Sequence, residues 1–186
     1  MSVRRIVYSN EPMLHEPSRR VRRVDAHLEE LIEDMTETMH AANGIGLAAI
    51  QVGVPERVII VEVPVVQGDE AEPSEESMET ELYVLINPQI VDASEESIEG
   101  IEGCLSIPGW AGEVDRHAEV TIEATDREGR LVRIEAEGLL ARVFQHEVDH
   151  CDGVLFIDHI EDPEKIWSVE EGQEEAVEAS QERPSP

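Results

Sequence analysis

His146-Glu147-Val148-Asp149-His150 is the stretch of this sequence best suited to chemistry. Positions four apart share one face of a helix, so His146 and His150 can each aim a ring nitrogen at a single metal ion. Glu147 stands one residue round from the first imidazole, close enough to handle a proton at such an ion without ligating it. The chemistry needs that division: neutral imidazoles hold the cation, and an unligated carboxylate takes a proton and returns it. The plain alternative is two helix-surface histidines beside an acid. A third ligand is required, and Cys104, in Glu102-Gly103-Cys104-Leu105-Ser106, is the first candidate. A thiolate binds Zn²⁺ or Fe²⁺ strongly, and a site of two imidazoles and one sulfur with an open position is catalytic in character. Gly103 lets the backbone pass close by. His159, Glu147 and Asp149 are further candidates for the third place. Cys151 adjoins His150 but points about 100° away on a helix and reads as a small buried hydrophobe. His15, His27, His40 and His117 lack metal spacing and read as surface residues.

Secondary structure has to position these groups. Residues 138–150 have a helical pattern, with Leu139, Leu140, Val143 and the imidazoles on neighbouring faces, and Gly153 is a natural stop after it. Residues 25–41 form a second predicted helix, with Leu28, Leu31, Ile32, Met35 and Met39 at three- and four-residue steps, Asp25 as N-cap and Asn43-Gly44 as terminator. Strands are expected at 58–61 and 82–86. A hairpin is expected from 120–124 and 131–136, turning at Asp126-Arg127-Glu128-Gly129. Gly44-Ile45-Gly46-Leu47-Ala48-Ala49-Ile50-Gln51 reads as a Gly-rich loop entering a small-residue packing segment. It lacks both the GxGxxG spacing and the Lys-Ser/Thr ending of a phosphate cradle.

Composition bounds the rest. The chain has 186 residues, of which 40% are apolar and 3% aromatic, so a core must rest on Val, Ile, Leu, Ala and Met. Acids outnumber bases 43 to 14, a formal charge of −29, which argues against a broad basic face and stable nucleic-acid binding. The acidity suits either an ordinary soluble surface or a very salty cytoplasm, where the Debye length shrinks to about 3 Å at 1 M. Residues 1–23 are the exception, with six Arg against two Glu; local pairing of these cations with the acidic remainder is expected over a nucleic-acid arm. No apolar run approaches the ~20 residues that cross a bilayer, no signal core follows Met1-Ser2-Val3-Arg4-Arg5, and two cysteines make no disulfide framework. A soluble protein of a reducing cytoplasm is expected, with no membrane association. One domain is expected over 1–168, with an acidic loop at 67–81 and an acidic disordered tail at 169–186.

Three segments in order, GIGLAAIQ, EGCLS and QHEVDH, resemble the motifs of the peptide deformylase family. The match extends from about Ile6 to Ile160, with an LxxLxxDMxxTM-like helix before the first motif and GLLARVF before the last. The resemblance implies an α+β fold, with antiparallel β-sheets packed around a central helix carrying the HExxH motif and an N-terminal helix. It implies a metal-dependent hydrolase that removes the N-formyl group from the formylmethionine of newly synthesised polypeptides and releases formate. By position it assigns Cys104, His146 and His150 to one Fe²⁺, for which Zn²⁺, Ni²⁺ or Co²⁺ can substitute. It assigns Glu147 as general base and acid, and Gln51 with the Leu105 N–H as oxyanion donors. It suggests that Ile45 and Gly46 pair with the peptide backbone and that Leu139 and Val143 line the methionine pocket; plain core packing is the alternative for the latter two. Arg142 is expected as an ion-pair partner, and Arg116 as a partner of Glu102 or Asp149. Position 151 departs from the family, which usually has Leu there, and the tail is acidic where some members dock on the ribosome through a basic helix. A monomer that meets the ribosome only transiently is expected.

Two other readings compete. A zinc endopeptidase would use the same HExxH but needs a downstream ligand absent at familiar spacing, and peptide cleavage assays separate the two. A metal-sequestering module would need neither Glu147 nor an open position.

Overall fold

Buried runs along the central strands, such as Val58–Val61, and three- to four-residue burial along the first helix set the architecture of the computed structural model, which describes residues 2–64 and 79–169. Among the described residues, two α-helices, α1 (Ala26–Ala41) and α2 (Gly138–Asp152), accompany eight strands. The strands are β1 (Gly46–Ala48), β2 (Val58–Pro64), β3 (Thr80–Ala93), β4 (Ser97–Cys104), β5 (Ile107–His117), β6 (Glu119–Thr125), β7 (Leu131–Glu137) and β8 (Ile166–Ser168). One sheet runs β1-β2-β3-β6-β7 and the other β4-β5-β8, every pairing antiparallel. Helix α2 packs against β1, β2, β3, β6 and β7 of the first sheet and β5 of the second. The fold is thus α+β, with its sheets around the helix that bears His146 and His150.

Helix α1 forms where its apolar spacing demands. Leu28, Leu31, Ile32, Met35 and Met39 are all buried, and the Asp25 carboxylate accepts the Leu28 N–H at 3.2 Å, satisfying one orphan donor of the first turn. These side chains join Leu47, Ala49, Val58, Ile60 and Ile86 in one apolar cluster. A second cluster lies about α2, where Phe144 and Phe156, the only phenylalanines of the chain, are buried with aliphatic neighbours. Cys151 is fully buried there, as a hydrophobe would be. Gly153 closes α2 at φ 78°, with Glu16 and His15 backbone so near that a Cβ has no room.

The hairpin β6–β7 turns at Asp126–Gly129, where Gly129 has φ 81° and the Asp126 carboxylate accepts the N–H of Glu128 and of Arg130. Other elements differ from the sequence expectation. Strand β3 starts at Thr80, so Thr80 and Glu81 belong to the sheet rather than to the acidic loop; residues 67–78 of that loop lie outside the described residues, as does the expected tail from residue 170 on. The Gly-rich segment is not all loop, because Gly46–Ala48 pairs with Ile59–Val61 before a 3₁₀ turn over Ala49–Val52. Local pairing in the N-terminal run holds for Arg4 with Asp34 and Arg23 with Asp25, and not for Arg5, Arg19, Arg20 or Arg22, which make no ion pair among the described residues. No described helix is long and apolar enough to cross a membrane.

Candidate metal centre

Helix α2 carries both imidazoles on its inward face, with ring centroids 4.9 Å apart. His150 is fully buried and His146 9% exposed, so neither is a surface histidine. The third donor arrives from the other sheet. Strands β4 and β5 pair regularly up to Gly103–Ala111, then the register breaks so that Cys104 pairs with Ile107. A bulge of this kind re-aims the side chain beside it, and the Cys104 Sγ lies 3.2 Å from Nε2 of His150. One donor atom from each of Cys104, His146 and His150 falls within 4.8 Å of the others.

These groups fit a tetrahedral cation. Bonds of about 2.3 Å to sulfur and 2.0–2.1 Å to nitrogen put neighbouring donors roughly 3.5 Å apart, close to the observed Sγ···Nε2 separation. His146 gives its Nδ1 to the Glu102 carboxylate at 2.8 Å, leaving Nε2 toward the sulfur. A carboxylate behind a ligating imidazole fixes the ring and raises its basicity. Glu102 is itself clamped: Arg116 donates to it at 2.8 and 3.0 Å and Arg142 at 3.0 Å. Burial alone would raise the Glu102 carboxyl, but the Arg116 and His146 bonds outweigh it and hold it at about 2. Arg116 also reaches Asp149 at 2.5 Å, so both partners expected for it are engaged. Asp149 and His159 bond each other at 2.8 Å and stand outside the donor cluster. Burial, with the His146 ring beside it, drives His150 well below the ordinary imidazole range.

Glu147 is 3% exposed, and its Oε2 has no hydrogen-bond partner among the described residues. Desolvation pushes its carboxyl up to about 7. The backbone of β1 runs directly over it: a Cβ on Gly46 would lie 2.9 Å from Cδ of Glu147 and 2.9 Å from Cγ1 of Val143. Gln51 is fixed end for end. Its Oε1 accepts the Ala48 N–H at 2.8 Å, so its amide NH₂ is the end that faces Cys104 Sγ at 3.4 Å and Ser106 Oγ at 3.2 Å. The Leu105 N–H, in the turn after Cys104, donates to no described residue.

A cavity of about 760 Å³ opens onto these groups. Ile45, Gly46, Leu139 and Val143 all line it, with Val143 buried and Leu139 half exposed. Sequence reasoning did not single out Ile101, Trp110 or the Leu105 side chain, which complete the apolar walls. Nor did it give Ser106 a role, although the fully buried Ser106 holds both Gln51 and, through its N–H at 3.4 Å, the Cys104 sulfur. Its place in EGCLS was the available signal.

A fold of two antiparallel sheets about an HExxH helix, with a Cys/His cluster that could hold a metal, is that of a metal-dependent hydrolase. The polypeptide deformylase family model matches residues 3–166. The peptide deformylase of Thermomicrobium roseum is 46% identical over 180 residues, covering 97% of this chain and 98% of that one. That of Roseiflexus castenholzii is 50% identical, covering 81% and 83%. Among solved structures, the peptide deformylase of Ehrlichia chaffeensis superposes with a TM-score of 0.77 at 35% identity, covering both chains fully. That of Synechococcus elongatus in complex with actinonin gives 0.74 at 39% identity, covering 86% and 79%. The chain belongs to the polypeptide deformylase family. Its activity is hydrolytic removal of the N-formyl group from the formylmethionine that begins new polypeptides, with release of formate.

Proposed function

We propose that Cys104, His146 and His150 hold one Fe²⁺ per chain, which Zn²⁺, Ni²⁺ or Co²⁺ can replace, and that Glu147, Gln51 and the Leu105 N–H carry the hydrolysis. Such an ion, when bound, is a Lewis acid that lowers the pKa of water from near 16 toward ~7 and polarises a carbonyl. The observation that supports the assignment best is the convergence of three soft and borderline donors within 4.8 Å beside the buried Glu147, whose Oε2 has no partner among the described residues.

Glu147 takes the proton of the attacking water as its oxygen reaches the formyl carbon, then delivers it to the departing amine, so that formate and a free N-terminus result. The tetrahedral oxyanion meets the Gln51 amide NH₂, whose orientation the Ala48 bond guarantees, and the Leu105 N–H. Substrate binds as an added strand. Among the described residues β1 is paired only with β2, so the outer edge at Ile45–Gly46 is open to a peptide backbone. Leu139 and Val143 then flank the methionine side chain in the cavity. Glu102, held by two arginines, keeps His146 in one orientation.

The reading extends to a single catalytic domain over 1–168, acting in the cytoplasm as a monomer that meets ribosomes transiently. Anaerobic purification with parallel metal analysis tests it. One iron per chain with full formate release from a formyl-Met peptide, declining in air as iron is lost, is expected. Activity independent of any ion, or internal cleavage of peptides, would overturn it.

A further inference from the structure

Charge pairing divides the molecule. Every Arg and Lys described after residue 23 sits in a salt bridge, from the buried Arg116 to Lys165 at the surface. In a chain with 43 acids and 14 bases, that is what an excess of carboxylates produces. Arg5, Arg19, Arg20 and Arg22 break the rule: all are exposed and none has a carboxylate partner among the described residues. Three of the four stand within four residues of one another.

The segment that displays them is held firmly. The Arg19 N–H donates to the Pro55 carbonyl at 2.9 Å, and the Arg19 carbonyl accepts the Arg57 N–H at 2.8 Å. The Asn87 side chain grips both polar groups of Val21, accepting its N–H at 2.7 Å and donating to its carbonyl at 2.9 Å. Val21 packs inward on the α1 cluster, so its neighbours Arg20 and Arg22 face solvent. The run walls a groove of about 890 Å³ whose only acids among the described residues are Asp25 and Glu56, and the Asp25 carboxylate is already occupied by Arg23 and the Leu28 N–H. The backbone that displays Arg19, Arg20 and Arg22 is therefore fixed, and the three are clustered and unspent, in a molecule that pairs its other described Arg and Lys side chains except Arg5.

We propose that Arg19, Arg20 and Arg22 form a contact surface for RNA phosphates, engaged where the enzyme meets the particle that makes its substrate. Guanidinium is the side chain matched to phosphate, through paired N–H donors that keep their charge at any physiological pH. The net charge of −29 opposes long-range attraction, but at physiological ionic strength charges beyond about 8 Å are screened, so the local cluster decides contact. The purpose rests on the deformylase reading; the binding itself is measured separately from catalysis, so either can fail alone. Three phosphate contacts give a slope of about −2 to −3 in log K against log salt, or roughly 20- to 60-fold weaker binding between 50 and 200 mM.

The experiment titrates full-length, metal-loaded enzyme onto a fluorescein-labelled ribosomal RNA hairpin, and in parallel onto phosphatidylglycerol vesicles, at 50 and 200 mM KCl. Anisotropy should show hairpin binding with that salt dependence. The R19S/R20S/R22S variant should bind at least 10-fold more weakly at 50 mM and keep its rate on a small formyl-Met peptide. A charge-matched R127S/R130S/R133S variant should bind the hairpin like the parent. Absence of hairpin binding by the parent, equal loss in both variants, or binding to vesicles but not to RNA would each overturn the proposal.

Discussion

Replacing Gly46 by Ala should cut kcat about 100-fold while leaving the metal in place. Gly46 lies outside the left-handed region, so Ala fits its backbone and its pairing with Val61 can persist. The obstruction is the methyl group. It would meet Glu147 Cδ and Val143 Cγ1 at 2.9 Å, each about 0.5 Å inside the 3.4 Å of ordinary contact, and Glu147 Oε1 more closely still. Val143 is buried in the core and cannot give way freely, so the carboxylate must swing by about 1 Å. A displacement of that size at a reacting group costs on the order of 10² in rate, or about 2.7 kcal/mol of barrier. The assay is steady-state formate release from a formyl-Met peptide, with metal content of the same sample by plasma emission. Parental kcat in G46A would refute the geometry, and so would a rate loss that merely tracks loss of the ion.

Gln51→Ala removes a donor that the Ala48 bond has oriented, and kcat should fall about 10²- to 10³-fold; a change confined to KM would contradict an oxyanion role. Arg116→Leu leaves the buried Glu102 with Arg142 alone and the half-buried Asp149 without its arginine, so urea unfolding should show a loss approaching the ~3 kcal/mol of a broken buried pair. Chelator competition should also show roughly 10- to 100-fold weaker metal binding. Burial pushes the Cys151 thiol up to about 12 from 9.0, so a thiol reagent at pH 8 should leave it untouched until the chain unfolds. The same shift has a stability consequence. Below pH 9 both states keep the proton; as pH climbs from 9 toward 12 the unfolded chain releases it first, and native stability should fall.

How much the sequence revealed depended on whether the signal was local. Helix α1 carried its own cap and apolar stripe, and the β6–β7 hairpin its own Asp126 and Gly129 turn, so both were readable. Strands β4 and β5 were not. Ser97–Cys104 is rich in Glu and Gly and largely exposed, with only Glu102 buried along it, so its conformation comes from its partner rather than its side chains. The three-residue β8 has no signal of its own. In the site, the HExxH spacing nominated both imidazoles, whereas the choice among third donors turned on the register break at Gly103–Cys104, which no spacing rule predicts. Arg142 was expected in an ion pair, yet its bonds to the Ile98, Gly100 and Val114 carbonyls, which tie β4 and β5 to α2, depend on long-range topology. The unpaired arginines went unforeseen for the same reason: which carboxylates lie within reach is decided by the fold.

Glu147→Gln, prepared anaerobically and compared with the parent for ion content and formate release, probes the central assignment most directly. The amide is nearly isosteric with the carboxylate but cannot accept the proton. If Cys104, His146 and His150 hold the ion and Glu147 only moves the proton, the variant keeps one divalent ion per chain and loses more than 10²-fold in rate. An undiminished rate, or an ion lost with the carboxylate, would contradict the account.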